Sequence, residues 1–534
     1  MNREALISKI QQDPEAIWDV IVIGGGATGL GVAVDAVSRG LKTILLERSD
    51  FAQSTSSRST KLMHGGVRYL QQGDIALVME ALHERSRMHK NAPHITSNQE
   101  FTIPIYTWWD ALIFTVGLKF YDLLAGRLSM GKSHFIGRAK TLKRLPLLKD
   151  KGLKGGVVYH DGQFDDARFA VVLAQTCAEK GGIPLNYFEV TKLLKDNDGK
   201  VKGVSATDLE TGNKYKLQGK AVINATGVFA DEILQMDKPE AKRTIRPSQG
   251  VHLVLDSSFL QSKTALMIPK TSDGRVLFAI PWYGKVVVGT TDTPIDHIDK
   301  EPKATEEEIQ FILETAANYL TRAPKESDIL CTFAGLRPLA ASTGNQEKTK
   351  EISRRHKITV SESELVSILG GKWTIYRRMA QDTVDRAVKI HGLEVKQSET
   401  KEQPLYGHEY HNPEDRLTIY GHNAEEIKQM IEKEPEAGIQ IHPAFPFCKA
   451  ELAWICRNEM PVQLEDVLTR RTRSLILDAK ASIQIASIVA VIMAEELGKG
   501  KDWIDDQLEK YFKLVSYYSN INEEGKIKQR PIAV

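Results

Sequence analysis

The chain of 534 residues changes its hydrophobic rhythm several times, and each rhythm predicts a different element. Val20 to Ile23 are four consecutive apolar β-branched residues, the pattern of a strand buried on both faces. An apolar-faced helix follows over 33–38, then a second short apolar strand over 43–46, so 18–48 reads strand, helix, strand. Residues 50–66 are rich in Ser and Thr and end in Gly65-Gly66, too polar for the core, and a helix is expected over about 75–90. From Tyr159 the rhythm resumes with a helix that opens on Asp165-Asp166, runs through 178 and stops at Gly181-Gly182. Strands are expected over 184–190, 201–209, 214–217 and 221–224. Between 246 and 295 the stretches 251–255, 276–281 and 286–289 alternate or run apolar and predict a separate sheet. Thr305 and Glu308 form a capping-box signature for a helix over 305–320. Gly370-Gly371 precede a long amphipathic helix, and beyond 398 the pattern becomes helical, charged and poor in glycine, with periodic runs at 450–456, 465–476 and 481–497.

These elements predict an α/β fold of the two-dinucleotide-binding, Rossmann-like kind, with a mixed-sheet substrate domain and a C-terminal α-helical domain. The dinucleotide-binding domain is expected to be discontinuous, over 17–90, 155–245 and 330–390. The substrate or cap domain is expected over 91–154 and 246–329, and the helical domain over 398–534.

Chemistry enters at the first strand–helix junction. Gly24, Gly26 and Gly29 make a G-x-G-x-x-G motif. The first glycine permits the tight turn, the second lets a pyrophosphate approach the backbone, and the third lets helix and strand pack closely. With Thr28, they present a helix N-terminus whose dipole and N–H groups suit phosphate. Glu47, at the end of the second strand, stands where a carboxylate binds ribose hydroxyls, which favours FAD or NAD over NADP. The Asn224-Ala225-Thr226-Gly227 turn brings the chain back toward the same ligand.

Charge and composition exclude some classes. A formal net charge of +2 leaves no global nucleic-acid footprint, so no nucleic-acid partner is expected. Cys177, Cys331, Cys448 and Cys456 have no C-x-x-C spacing; they suit a reducing compartment and read as buried small hydrophobes, and no metal site is expected. The first 20 residues lack an apolar secretory core, so no signal peptide is expected, and no apolar run reaches 18 residues. Residues 105–126 are rich in apolar and aromatic side chains interrupted by Asp110, Lys119 and Asp122, and nine Lys or Arg follow between Arg127 and Lys154. Two readings stand side by side there: an interfacial membrane anchor, or a core helix followed by a solvated basic surface.

Seven segments in order carry a resemblance: VIGGGATGLGVAVDAVSRG, TSSRSTKLMHGGVRYL, INATG, IPWYGKVVVGTTDT, GLRPL, GGKWTIYR and EDVLTRRTRSLILD, over roughly 18–478. Together they resemble the FAD-dependent glycerol-3-phosphate dehydrogenases. Residues 91–155 and the tail after about 478 match that family only loosely. The resemblance implies FAD as cofactor, oxidation of sn-glycerol 3-phosphate to dihydroxyacetone phosphate, and electrons passed on to a membrane quinone. It further implies a cytoplasmic enzyme attached peripherally to the inner face of the cell membrane, with a homodimer open. Arg337 and Lys372 match the positions that hold the substrate phosphate, and Arg68 and Tyr69 match residues lining the same pocket. Such a pocket needs fixed charge, because the substrate is a small dianion and Arg binds phosphate bidentately.

Ser56, Ser57, Lys61, His64, Gly65, Ala225, Gly227, Gly371, Lys372, Trp373 and Thr374 fall in the segments that the resemblance places on the cofactor, and Val190, outside those segments, is expected on it as well. Oxidation removes the C2 hydroxyl proton while the C2 hydride goes to the flavin, and His is the natural base near neutral pH. His252 is favoured as base and His64 as the flavin-side residue, with Lys372 able to ease formation of an alkoxide. A glycerophosphate oxidase, an amine or amino-acid oxidase of the same fold, and a non-catalytic FAD-binding protein are the competing readings. No long insertion precedes GLRPL, which favours the dehydrogenase over the oxidase.

Overall fold

The computed structural model describes residues 1–66, 74–272, 274–340 and 356–519. Its first sheet is the nucleotide-binding one. Ile17–Ile23 lies at the centre, parallel to Thr43–Leu46 on one side and to the end of Lys214–Asn224 on the other, with Ile183–Leu185 and Val366–Leu369 extending it. Val20, Ile21 and Val22 are fully buried, in one core with Leu30 and Ala33 of the following helix and with Leu193, Val204 and Leu217 of the antiparallel strands. The helix Ala27–Ser38 packs against that sheet with Asp166–Glu179 and Tyr376–His391 beside it. A Cβ on Gly29 would lie 1.9 Å from the Gly24 carbonyl oxygen, so the third glycine is a packing residue, as its spacing predicts.

Two strand expectations change. The run 184–190 breaks at Tyr187, which takes φ +56°, and continues as Phe188–Lys195. Conversely 214–217 and 221–224 are one strand, Lys214–Asn224, whose first half pairs antiparallel with Val201–Asp208 and whose second half joins the parallel sheet. Its polar middle, Gln218-Gly219-Lys220, marks the change of partner and not a turn.

The second sheet runs Thr293–Pro294, Ile245–Asp256, Lys285–Gly289, Leu277–Trp282, Ala265–Ile268, Thr96–Ile105, Gly155–Phe164, Leu62–Met63, with Ile329–Ala340 along Ile245–Asp256. The expected domain boundaries therefore move. Gly155–Phe164 and Ile329–Ala340 belong to the substrate sheet, although 155–245 and 330–390 were assigned to the nucleotide domain. Long-range pairing decides this: Thr96 to Ile105 pair in unbroken register with Phe164 to Gly155. The predicted helix near 305–320 is Glu306–Tyr319, and both halves of its capping box form.

Helix Trp108–Ala125 carries apolar side chains on two faces. Ala111, Leu118, Tyr121 and Ala125 face inward onto Phe101, Ile103, Val157 and Tyr159. Trp108, Trp109, Val116 and Leu123 face outward and are 65%, 68%, 58% and 73% exposed. A core helix would bury both sets. This one buries a single face and leaves a second apolar face in solvent. Among the described residues no helix is long and apolar enough to cross a membrane.

The C-terminal part is helical, but 465–476 is not one regular helix. Asp466–Arg471 forms a wide π turn, Arg473 takes φ +63°, and a short helix Ser474–Leu477 follows. The irregular backbone sends Arg470, Arg471 and Arg473 into the nucleotide-binding domain. There Asp50 bonds both Arg470 and Arg471, and Arg473 reaches Asp166 at 2.8 Å. Burial pushes the Asp50 carboxyl up, and the two guanidinium charges outweigh it and hold it below the usual carboxylate range. All four cysteines are buried.

Candidate active site

One elongated cavity of about 720 Å³ joins the two sheets. At one end lie Gly24, Gly26, Ala27 and Thr28, the turn into helix Ala27–Ser38. Gly24 has φ +108°, and a Cβ there would meet the Ala225 carbonyl at 2.7 Å, so only glycine fits this turn. Ala225, Thr226 and Gly227, packed beside this turn, also line the cavity. Glu47 lies next along the cavity. Its carboxylate accepts from Gly25 N at 2.6 Å and Ser49 N at 2.9 Å, which fixes it at the strand end. Burial raises its carboxyl, opposed by those two backbone donors. Val190, with Glu189 and Thr191, lines the adjoining wall.

The polar loop 51–64 crosses from this region to the second sheet. Ser56 Oγ accepts from Ala27 N at 2.9 Å in the first turn of the helix, and Ser56 O accepts from Trp373 Nε1 at 2.8 Å. Thr374 Oγ1 accepts from His64 N at 3.2 Å, so the loop and the Gly370–Thr374 turn are tied together. His64, Gly371, Lys372, Trp373 and Thr374 all line the cavity.

The other end belongs to the substrate sheet. His252 pairs with Gly289 and Phe333 on its neighbouring strands. Its ring stacks on Phe333, with centroids 4.8 Å apart and 11° between planes, and Nε2 lies 2.9 Å from Thr60 Oγ1. Burial first, then the Lys61 and Arg337 charges, push the imidazole well below its ordinary range, which favours its neutral form. Arg337 lies over Gly250, where a Cβ would come within 2.3 Å of Nη2. Its guanidinium donates to Gln249 O, Thr290 Oγ1, Thr291 O and Asp292 Oδ1, and its side chain is 23% exposed toward the cavity.

Most expected site residues thus meet in one cavity, and four do not line it as expected. Ser57 and Lys61 are buried behind the loop, with Lys61 Nζ bonded to Asp166 and to Ser57 O. Gly65 also sits behind the wall, its N–H donating to Tyr121 Oη at 2.9 Å. Gly29 packs helix on strand. In each case the motif position serves packing or backbone support and does not line the cavity. Arg68 and Tyr69 lie outside the described residues. Thr60, Arg58, Thr290 and Asp292 line the cavity without having been singled out. Thr60 and Asp292 stood inside TSSRSTKLMHGG and TTDT, and only the fold shows which side chain of such a run faces the site.

Comparisons with known proteins agree with this geometry. A family model described as FAD dependent oxidoreductase matches residues 19–357. A second, described as the C-terminal domain of alpha-glycerophosphate oxidase, matches 361–504. The chain is 38% identical to the mitochondrial glycerol-3-phosphate dehydrogenase of Homo sapiens, over 97% of this chain and 75% of that one. It is also 38% identical to the Schizosaccharomyces pombe protein of the same name, over 93% and 86%. The solved glycerol-3-phosphate dehydrogenase of Bacillus halodurans, complexed with FAD, superposes with a TM-score of 0.78 at 29% identity, covering 97% of this chain and 98% of that one. An L-alpha-glycerophosphate oxidase from Mycoplasma pneumoniae shares the fold at a TM-score of 0.54 and 18% identity, over 74% of this chain and 99% of that one. FAD is the cofactor, and the residues fit it: Gly24, Gly26, the Ala27 helix end and Glu47 line one cavity, with a glycine turn whose backbone a pyrophosphate can approach and an acid suited to ribose hydroxyls. The protein belongs to the FAD-dependent glycerol-3-phosphate dehydrogenase family.

Proposed function

We propose that this enzyme oxidises sn-glycerol 3-phosphate to dihydroxyacetone phosphate and hands the electrons to a membrane quinone. The observation that carries the donor half is the meeting of a neutral buried histidine and two cations, His252, Arg337 and Lys372, in the cavity that holds the cofactor residues. Arg337 and Lys372 bind the phosphate and orient C2, and His252 takes the C2 hydroxyl proton. FAD, when bound, supplies the acceptor for the C2 hydrogen leaving with its electron pair. Burial lowers the dielectric around the anion and strengthens both cationic contacts. An amine or amino-acid oxidase has no use for two cations set to grip a phosphate. Adding glycerol 3-phosphate to the purified yellow protein without oxygen should bleach the flavin band; a band that persisted would refute the donor.

FAD is expected to be held without a covalent bond, by the glycine turn and Glu47. Acid precipitation should leave the flavin in the supernatant, and flavin in the pellet would contradict this.

The acceptor half rests on helix Trp108–Ala125. Its exposed apolar face, with a basic segment after it, suits peripheral attachment to the inner face of the cell membrane from the cytoplasm, where a lipid-soluble quinone is reached. Each of Trp109, Val116 and Leu123 gains about 1.5–3 kcal/mol if fully removed from water. The triple change Trp109→Asp, Val116→Asp, Leu123→Asp is therefore expected to abolish binding to anionic liposomes. Quinone-linked turnover should fall with it, while turnover with a soluble dye persists. Unchanged liposome binding would rule out this face as the anchor.

A further inference from the structure

Behind the cavity wall lies a buried cluster of charge that the reaction itself does not use. Lys61 is fully buried, its Nζ donating to Asp166 at 2.8 and 3.0 Å and to Ser57 O at 2.7 Å. Asp166 also accepts from Ser59 N at 3.0 Å, Ser59 Oγ at 2.7 Å and Arg473 Nη2 at 2.8 Å. Arg473 Nη2 donates in addition to Ser57 O at 3.0 Å. One carboxylate thus holds residues 59 and 61 directly, Lys61 and Arg473 hold Ser57 O, and Arg473 is supplied by the C-terminal domain. Lys61 adopts φ +64°, a conformation costly for a residue with a Cβ, and its side-chain bonds over-determine it.

The held loop ends against His252. Thr60, between Ser59 and Lys61, contacts Nε2 at 2.9 Å. Lys61 Nζ lies 5.1 Å from the centroid of the Phe333 ring, on which the imidazole stacks. We propose that Lys61, clamped by Asp166 and Arg473, is a positioning residue for His252: it sets Thr60 against Nε2 and places a cation behind the imidazole. The inference rests on His252 being the proton acceptor.

The cation has a task specific to this substrate. A bound phosphate dianion favours a protonated imidazole, which cannot accept the C2 proton. The charged groups around the ring are Lys61 in the loop, Arg337 on Ile329–Ala340 with Asp292 against it, and Lys372 and His64 across the cavity. Asp166 and Arg473 stand behind Lys61. Arg337 and Lys372 are neutralised when they bind the phosphate, whereas Lys61 is walled off from it and keeps opposing protonation.

Stopped-flow reduction of the FAD-loaded enzyme by glycerol 3-phosphate, followed against pH, tests this. Removing the cation raises the pKa of His252, so in Lys61→Met the acid limb of the reduction rate should move upward by about one pH unit. FAD content and substrate affinity at high pH should stay near the parent's. An acid limb that did not move, or moved downward, would overturn the proposal. The second pair covers a Lys61→Met protein that failed to fold: Thr60→Val should slow flavin reduction at least tenfold at unchanged substrate affinity, and Thr60→Ser should restore most of it. Parental rates in Thr60→Val would also overturn it. His252→Gln separates the two readings. If that variant reduces flavin like the parent, the base assignment falls and the proposal with it. If it is slow while Lys61→Met and Thr60→Val are unaltered, only the positioning role falls.

Discussion

Arg337→Ala is expected to lower kcat/KM for glycerol 3-phosphate by roughly 30- to 5,000-fold, the equivalent of about 2–5 kcal/mol for a charge-assisted contact to a desolvated anion. The guanidinium is not a mobile surface charge. Four acceptors on two segments hold it over Gly250, and its side chain keeps an opening to the cavity. Such preorganisation means that little entropy is lost when the phosphate arrives. Glycerol, which lacks the phosphate, should be a poor substrate for the parent and nearly insensitive to the change. That control separates phosphate binding from a structural effect, because collapse of the Thr290–Asp292 loop would impair both substrates. Equal activity of parent and variant toward glycerol 3-phosphate would remove Arg337 from the site.

His252→Gln is expected to slow anaerobic flavin reduction by about 10²–10⁴-fold, the usual worth of a positioned general base. Gln retains a polar end of similar reach, so the stack on Phe333 and the pairing with Gly289 lose volume without a charge being introduced. In the proposed mechanism the base acts on the proton and Arg337 and Lys372 act on the phosphate, so substrate affinity should change little. His64 is the alternative. It lines the cavity with its backbone N–H bonded to Thr374, on the cofactor side of the wall. A fast His252→Gln paired with a slow His64→Gln would transfer the role to it.

Much of the nucleotide-binding domain was legible along the chain because its signals are local. The apolar run at Val20–Ile23, the three glycines and Glu47 lie within 28 residues, and the turn they build needs few distant contacts. The capping box at Thr305 and Glu308 is local in the same way. The phosphate cations and His252 came from the resemblance and from chemistry, each in a short motif. Domain boundaries were less legible. Gly155–Phe164 and Ile329–Ala340 join the second sheet through partners far away in the chain, and nothing in a strand's own sequence says which sheet it joins.

The sequence by itself determined the glycine turn, the acid that follows it, and which side chains carry a charge or an imidazole. Backbone conformation and side-chain chemistry are properties of a few adjacent residues, so they can be read in order. Only the tertiary structure decided which of those groups face the cavity. Lys61 and Ser57 stand in the same motif as Ser56 and Thr60, yet the first two turn inward to Asp166 and Arg473, and the others line the site. It also decided that helix Trp108–Ala125 has two apolar faces with different fates. Periodicity reports that a face is apolar; what covers that face depends on residues far away in the chain.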